Sequence, residues 1–161
     1  MKLAPVLADD ADRVAELRSL NILDTPREPR FDRLTQLASD VFDMPMVFVN
    51  LVDADRQWFK STCGLDGVTD TPRESGFCAH AIHETDMMLV PDASKDERFA
   101  DNPFVAGDFH LRFYAGVPIR GPKGKGIGSF CLVDTKPREF SAKQIGQLKK
   151  FAAIVEAEIQ R

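Results

Sequence analysis

The sequence predicts an α+β domain in which a mostly antiparallel central sheet is flanked by helices, with the N- and C-terminal helices packed together. Short apolar runs joined by tight turns are typical of hairpins, and these outnumber the crossovers that the chain could form. Amphipathic helical patterns lie at both ends of the chain. Its 161 residues match one domain in size. We expect residues 1–26 to form an N-terminal helix and connector, and residues 27–161 the domain proper.

Two helices are predicted before the first strand. Asp9 or Asp10 can cap the first helix, in which apolar residues recur three positions apart over residues 11–20. Residues 25–28, Thr-Pro-Arg-Glu, have a capping-box pattern for the second helix, and Pro29 favours a slightly later start. The apolar face of this second helix comprises Phe31, Leu34, Leu37, Ala38, Val41 and Phe42.

The first two strands form a predicted hairpin. Residues 47–52 are almost continuously apolar, as in a central strand, and residues 57–62 follow after an Asp-Ala-Asp turn. Side chains alternate along a strand, so Trp58 and Phe59 are expected on opposite faces of the sheet.

Short elements and loops are predicted in the middle of the chain. Residues 71–74 repeat the Thr-Pro-Arg-Glu pattern and predict a helix that continues to about Ala81. Residues 88–90 form a short strand closed by Pro91. Residues 92–108 lack clear periodicity, and long ordered loops of this kind are often functional.

Two strands and a helix are predicted at the end of the chain. The strands cover residues 113–119 and 127–133 and are joined by a glycine-rich turn. The helix begins with a capping box between Ser141 and Gln144. We expect part of its apolar stripe to remain for a partner subunit, because the stripe reaches the chain end. The stripe consists of Ile145, Leu148, Phe151, Ala152, Val155 and Ile159.

Composition and charge exclude several classes of function. Hydrophobic residues make up 43% and charged residues 29% of the chain, as in globular proteins. A net charge of −4 disfavours nucleic acid and anionic membranes as partners. No apolar run reaches the length of a membrane span, and the N-terminus has no secretory signal pattern. The three cysteines are widely spaced and odd in number, which is typical of reduced thiols in a cytoplasmic protein.

Two sequence motifs resemble a metal site and a phosphate-binding loop, but the expected geometry of each motif argues against that function. On a helix, Cys78 is separated from His80 by about 200° and from His83 by about 140°, so the three side chains cannot converge on a metal ion. We therefore expect no metal. The glycine-rich turn is not a phosphate-binding loop, because Ile127 occupies the lysine position and two strands flank the turn.

The loop group Asp92, Asp96, Arg98, Phe99 and Asn102 has two interpretations. In the first, these residues support the loop itself, with Asp92 as a cap, Arg98 as the partner of an acid and Phe99 as a plug in the core. In the second, they form a lid over a pocket on the sheet, where mixed polar and aromatic groups suit a small polar ligand. The residues alone leave both interpretations open.

Five phrases in register resemble the GAF family over residues 31–159, approximately. They are LVDADRQWFK at 51–60, ESGFCAHAI at 74–82, VPDA, DERF and NP within 90–103, RFYAGVP at 112–118 and GIGSFCLVD at 126–134. The chain is similar to the bacterial subgroup that is often attached to histidine kinases or diguanylate cyclases. It lacks the sequence signatures of the members that bind cyclic nucleotides or bilins.

The resemblance implies a sensory domain that binds an unknown small molecule and passes the signal through its terminal helices. It also implies a homodimer and, as candidate partners, a histidine kinase or a diguanylate cyclase. We expect no cofactor and no enzymatic activity. The ligand-binding residues that the resemblance implies are Asn50, Phe59, Cys78, Asp92, Arg98, Phe99, Asn102 and Tyr114.

Two alternatives stay open beside this sensory function. One GAF subfamily reduces free methionine sulfoxide and uses cysteines in the helix and in the following loop. Cys78 lies near that helix position and Cys63 or Cys131 could serve as its partner, but residues 92–111 contain no cysteine. The other alternative is a degenerate GAF domain that only dimerises.

Overall fold

A six-stranded antiparallel sheet forms the centre of the computed structural model, which describes residues 1–161. Two long hairpins meet in its middle, because the first strand pairs with the sixth as well as with the second. The order across the sheet is β3-β2-β1-β6-β5-β4. The strands are β1 (Met46–Val52), β2 (Arg56–Cys63), β3 (Asp70–Pro72), β4 (Met88–Val90), β5 (Phe113–Arg120) and β6 (Gly126–Asp134).

Five α-helices cover the two faces of this sheet, and the predicted α+β class is confirmed. The second helix and the last helix of the chain pack directly on each other, and both lie on the same face of the sheet. The short third helix lies on the opposite face, against β1, β5 and β6. The helices are α1 (Asp10–Ser19), α2 (Pro29–Phe42), α3 (Cys78–Ala81), α4 (Pro103–Ala106) and α5 (Ala142–Ile159).

The alternation of side chains in the central strands produces two separate cores. Val47 and Val49 of β1 face α2 and α5, in a cluster that also contains Leu17 of α1 and Ile159 of α5. Phe48 points the other way, into a second cluster with residues of α3 and of the loop that follows β4. The sheet therefore separates the long helices from the face where the short elements gather.

The apolar stripe of α5 is used within the domain. Leu148 and Val155 have no exposed surface, and Ala152 and Ile159 are also buried in the cluster beneath α2. The expectation that part of this stripe remains for a partner subunit is therefore wrong for these four residues and stays a prediction for Ile145 and Phe151, which are only partly buried. The capping box at Ser141 and Gln144 is confirmed, with both hydrogen bonds present.

The predicted helix over residues 71–81 is wrong in its first half. Residues 70–72 form the edge strand β3, in which Thr71 pairs with Gln57 of β2. Proline is tolerated at the end of an edge strand because no ladder hydrogen bond is needed there. A 3₁₀ turn (Arg73–Ser75) and Gly76 follow, so α3 starts only at Cys78. The start of α2 at Pro29 agrees with the later start that this proline favours, but Glu28 at the N-cap position makes no capping hydrogen bond with its side chain, so the capping box predicted at residues 25–28 is wrong.

Helix α1 is attached to the rest of the domain by buried charged groups. The carboxylate of Glu16 accepts hydrogen bonds from the backbone N–H groups of Lys123 (3.2 Å) and Lys125 (3.1 Å), in the turn between β5 and β6. Arg73 donates two hydrogen bonds of 2.8 Å to the Asp10 carboxylate. These contacts fix α1 at the end of the sheet, beside the turn of the hairpin formed by β5 and β6.

Candidate functional site

A cavity of about 170 Å³ lies on the face of the sheet opposite α2 and α5. Strands β1, β2, β5 and β6 supply its floor. Its walls come from residues 65–71, from the segment that leads into α3 and from residues 104–111. Twelve of its 16 lining residues are hydrophobic. The lining consists of Phe48, Asn50, Gln57, Phe59, Leu65, Val68, Thr71, Gly76, Phe77, Cys78, Phe104, Phe109, Leu111, Tyr114, Cys131 and Val133.

Aromatic side chains dominate this lining, and no lining residue carries a formal charge. The rings of Phe48 and Phe59 meet edge to face at a centroid distance of 5.2 Å. Phe104 and Phe109, from the loop, are arranged in the same way at 6.0 Å. Moving an ion into such surroundings without a counter-charge is costly, so the cavity favours neutral molecules.

Asn50 is the one buried polar side chain of the cavity that has no partner. The residue is 1% exposed, and neither Oδ1 nor Nδ2 makes a hydrogen bond. Leaving a buried donor or acceptor unsatisfied costs about 1–3 kcal/mol for each group. The register between β1 and β2 shifts between Val49 and Asn50, and such bulges often redirect a side chain next to a binding site.

Two cysteines and two hydroxyl groups form a polar cluster at one side of the cavity. The Sγ atom of Cys78 lies 2.9 Å from Ser129 Oγ, 3.1 Å from Tyr114 Oη and 3.9 Å from Cys131 Sγ. Burial raises the pKa of both the Cys131 thiol and the Tyr114 hydroxyl. Burial also acts to raise the pKa of Cys78, but hydrogen bonds from Cys131, Ser129 and Tyr114 outweigh it and lower this pKa overall.

Four of the eight predicted ligand-binding residues line the cavity. They are Asn50 of β1, Phe59 of β2, Cys78 at the start of α3 and Tyr114 of β5. The side chain of Trp58 lies in the cluster on the other face, as the alternation along β2 predicts.

The other four predicted residues lie in the loop after β4 and do not line the cavity. Asp92 caps a 3₁₀ turn by accepting the backbone N–H of Ser94 at 3.1 Å. Arg98 forms an ion pair with Asp96 at 2.8 Å. Here the structure agrees with the interpretation in which these residues support their own loop.

Phe99 and Asn102 complete this loop support. The Phe99 ring is buried and stacks on Phe77 with a centroid distance of 3.9 Å. Asn102 accepts the backbone N–H of Phe104 and donates Nδ2 to the carbonyl oxygen of Ser75, both at 2.9 Å. Asn102 therefore ties the start of α4 to the segment that precedes α3.

Sequence reasoning missed most of the aromatic lining of the cavity. Phe48 and Cys131 could have been predicted from the alternation of side chains along a strand. Phe48 lies two residues from Asn50, and Cys131 lies two residues from Ser129, so each shares a face of the sheet with that residue. Phe104 and Phe109 give no such signal, since their positions depend on the path of an irregular loop.

The histidines near α3 have partners outside the cavity. His80 Nε2 lies 3.2 Å from the carbonyl oxygen of Lys2, and His83 Nε2 lies 2.8 Å from that of Pro5. Both rings thus hold the N-terminal segment, whereas Cys78 faces the cavity. The prediction that the three residues bind no metal stays a prediction.

The family model that describes the GAF domain matches residues 26–159 of this chain. The chain belongs to the GAF family. The match includes all six strands together with α2 to α5. The cavity of this GAF domain thus lies within the matched region.

A cyclic di-GMP phosphodiesterase from Pseudomonas aeruginosa is 36% identical to this GAF domain over 160 residues. The alignment covers 99% of this chain but only 27% of that protein. The chain thus spans about a quarter of the length of this relative.

Solved structures of other proteins share the fold. The GAF domain of a phosphoenolpyruvate-protein phosphotransferase from Acinetobacter has a TM-score of 0.66 at 18% identity, covering 96% of this chain and 94% of that one. A free methionine-R-sulfoxide reductase from Neisseria meningitidis, solved with its substrate, has a TM-score of 0.65 at 18% identity, covering 98% and 95%. At this identity the likeness concerns the fold alone.

These comparisons correct the expectation that the chain has no enzymatic activity. The relative from Pseudomonas is named as a phosphodiesterase, and the structure from Neisseria is named as a reductase. The expected lack of enzymatic activity is therefore contradicted by the name of a relative that is 36% identical to this chain. None of its helices combines the length and the apolar character that a membrane-spanning segment needs.

Proposed function

We propose that this GAF domain binds a small molecule in the cavity beneath α3 and thereby regulates an enzyme that acts on cyclic di-GMP. The observation that carries the proposal is the cavity itself, which is built on the sheet and contains an unpaired buried amide at Asn50. Mostly apolar pockets with a few convergent polar groups are typical of ligand sites. The named activity of the Pseudomonas relative supports the choice of enzyme.

We propose that cyclic di-GMP binds to the regulated enzyme and not in the cavity of the GAF domain. Its phosphate groups carry negative charge, and proteins bind such groups with arginine, lysine or helix N-termini. The cavity lining contains no basic residue. We therefore place the regulatory ligand here and the cyclic dinucleotide at the enzyme that the domain controls.

The signal is proposed to leave through the helices, in a homodimer. Arg30 of α2 donates to the backbone carbonyl of Glu158 in α5, so the two packed helices are also joined by a hydrogen bond. Apolar side chains remain exposed on both helices, among them Leu37 and Val41 of α2 and Ile154 of α5. They are the surface on which a second copy would bury apolar area. A ligand regulates such a dimer only if it binds two of its arrangements with different affinity.

A second candidate function is thiol-dependent reduction of a sulfoxide. It is favoured by the separation of 3.9 Å between the Sγ atoms of Cys78 and Cys131 beside the cavity. In such a reaction two thiols become a disulfide while the sulfoxide is reduced to a thioether and its oxygen leaves as water. Turnover of free methionine sulfoxide with dithiothreitol as reductant, lost in both Cys78→Ser and Cys131→Ser, would establish this function.

Native mass spectrometry before and after denaturation tests ligand binding. A small molecule retained by the native protein and released on denaturation is the expected result. Val68 is half-buried and lines the cavity, so Val68→Trp should fill the cavity and remove that molecule. Val6→Trp is the control, since Val6 is exposed and lies outside the cavity. Absence of any retained or added ligand in the wild type would refute this half of the proposal.

Hydrolysis of cyclic di-GMP by the enzyme that the domain is proposed to regulate, assayed together with the domain, tests regulation. The rate is expected to differ between the wild type and Val68→Trp, and to be unchanged in Val6→Trp. Equal rates in the wild type and Val68→Trp would refute the regulatory half.

A further inference from the structure

We infer that the cavity takes an uncharged, flat ring compound that carries a lactam or carboxamide edge, and that this edge pairs with the side chain of Asn50. The inference rests on the proposed function, because it treats the cavity as a ligand site. It adds the chemical class of the ligand, which follows from the size, the charge and the unpaired groups of the cavity.

The size and the walls of the cavity indicate a compound of one or two fused rings. A dry apolar cavity of roughly 150 Å³ is known to bind benzene, and the volume here is about 170 Å³. The edge-to-face pairs Phe48–Phe59 and Phe104–Phe109 offer aromatic surface from the floor and from the loop. Flat rings pack well against such surfaces, in offset or edge-to-face geometry.

The absence of charge in the lining selects against ionised ligands. None of the 16 lining residues is acidic, basic or a histidine. A carboxylate, phosphate or ammonium group would lose its water here and gain no opposite charge. This selection applies to amino acids as well, because both of their charged groups would need partners.

The amide of Asn50 selects the polar edge of the ligand. Its Oδ1 is an unpaired acceptor and its Nδ2 an unpaired donor, on one planar group that lies just behind the cavity wall, so the edge of the ligand reaches it when neighbouring side chains move apart. A lactam or primary carboxamide presents a donor and an acceptor side by side, so it can satisfy both groups at once. A hydrocarbon satisfies neither and leaves the buried amide as it is. Discrimination is strong at sites that are built to hydrogen-bond one polar group.

The polar groups near Asn50 already have hydrogen-bond partners, so they are less suited to pair with the polar edge of a ligand. Tyr114 Oη lies within hydrogen-bonding distance of Ser129 Oγ at 3.2 Å and of Cys78 Sγ at 3.1 Å. Gln57 Oε1 accepts the backbone N–H of Ala79 at 3.0 Å. These atoms have partners within the protein, whereas both polar atoms of the Asn50 amide are fully buried and have none.

Three bicyclic probes of similar size test the inference: 2-quinolinone, a neutral lactam; naphthalene, which has no polar edge; and 2-naphthoate, an anion. Binding is measured by ¹H–¹⁵N NMR titration. The side-chain amide signal of Asn50 is identified as the pair of peaks that is missing in Asn50→Leu. We expect 2-quinolinone to bind at least tenfold more tightly than either other probe and to shift this signal.

Two variants control for the substitution itself. Asn50→Leu keeps the approximate volume and removes the amide, so 2-quinolinone should bind it within threefold of naphthalene. Thr35→Val also replaces a buried polar group by an apolar one, but Thr35 lies on α2 at the opposite face, so the tenfold preference should remain. If Asn50→Leu fails to fold, the relative affinities of the three probes for the wild type still test the inference.

Equal or tighter binding of naphthalene or 2-naphthoate would overturn the inference and leave the proposed function standing, since either result shows binding in the cavity. Failure of all three probes to bind would also overturn the inference. The proposed function would then be decided by the retained ligand in native mass spectrometry. If that ligand proved to be an anion, the inference would again be overturned and the proposed function supported.

Discussion

The Sγ atoms of Cys78 and Cys131 lie 3.9 Å apart beside the cavity, with Cys78 on α3 and Cys131 on the central strand β6. Both residues are buried, whereas Cys63 at the end of β2 is partly exposed. The three thiols of the chain therefore differ in access to solvent.

This difference predicts the order in which the thiols react. In the native protein, Cys63 should react with 5,5′-dithiobis(2-nitrobenzoate) at least roughly 100-fold faster than Cys78 and Cys131, because the buried pair must wait for a local opening. Release of the coloured thiolate, followed in time, gives the rates. In Cys63→Ser the fast phase should vanish. A fast phase that corresponds to two or three thiols would show that the cluster is open to solvent.

Acid is predicted to weaken the attachment of α1 through Asp10. Hydrogen bonds from Arg73 hold the pKa of the Asp10 carboxyl well below its usual range, although partial burial acts in the opposite direction. A carboxyl with a lowered folded-state pKa stabilises the fold fully above its unfolded pKa of about 3.9, and the contribution is lost as the pH falls toward the lower value.

Asp10→Asn is therefore expected to reduce the free energy of unfolding by about 2–4 kcal/mol at pH 7, because it leaves the buried Arg73 without its counter-charge. The difference between variant and wild type should shrink steadily below about pH 4. Urea unfolding at several pH values measures both effects. Asp12→Asn, at an exposed position of the same helix, is the matched control. A loss that does not change with pH would contradict the assignment to the charge.

Asn102 is predicted to stabilise its loop and not to select the ligand. Asn102→Ala removes the cap of α4 and the hydrogen bond to Ser75, so the free energy of unfolding should fall by about 2–3 kcal/mol. The preference for 2-quinolinone over 2-naphthoate should be unchanged, because Asn102 does not line the cavity. Asp108→Ala, at an exposed position of the same loop, should have neither effect. A changed ligand preference would assign Asn102 to the binding site.

The double variant Val155→Glu with Ile159→Glu is predicted to unfold the domain. Both side chains are buried beneath α2, so two carboxylates would be placed in an apolar core. Circular dichroism should show loss of the folded state at 25 °C.

The matched surface variant replaces Leu37 and Ile154, which are exposed on α2 and α5, by glutamate. It should stay folded, and sedimentation should show a monomer if the proposed dimer uses this surface. If the double variant Val155→Glu with Ile159→Glu stayed folded, this result would contradict the burial of these two side chains in the core.

Local sequence signals were sufficient for the elements whose structure depends on nearby residues. The apolar run of β1 and the capping box of α5 are confirmed, because alternation and caps act over a few positions. The three-residue strand β3 was missed for the opposite reason. Its pairing depends on β2, and the Thr-Pro-Arg-Glu pattern at residues 71–74 favours a helix when it is considered alone.

In the candidate site, too, the positions of residues on strands follow from local sequence signals, whereas the positions of residues in loops do not. Asn50, Phe59 and Tyr114 lie on strands, where the face of a side chain follows from alternation. Phe99 and Asn102 lie in an irregular loop, and their stacking and capping contacts depend on α3 and on the 3₁₀ turn before it. Composition alone could not distinguish a residue that contacts a ligand from one that holds the loop in place.

The position of Glu16 limits which residues can replace Gly121. The Glu16 carboxylate occupies the space that a Cβ atom at position 121 would need, while it binds the backbone of Lys123 and Lys125. In GAF domains that keep α1, we therefore expect positions 16 and 121 to change together during evolution. Where the acid is absent, larger residues should be accepted at 121 and the turn between β5 and β6 should vary in length.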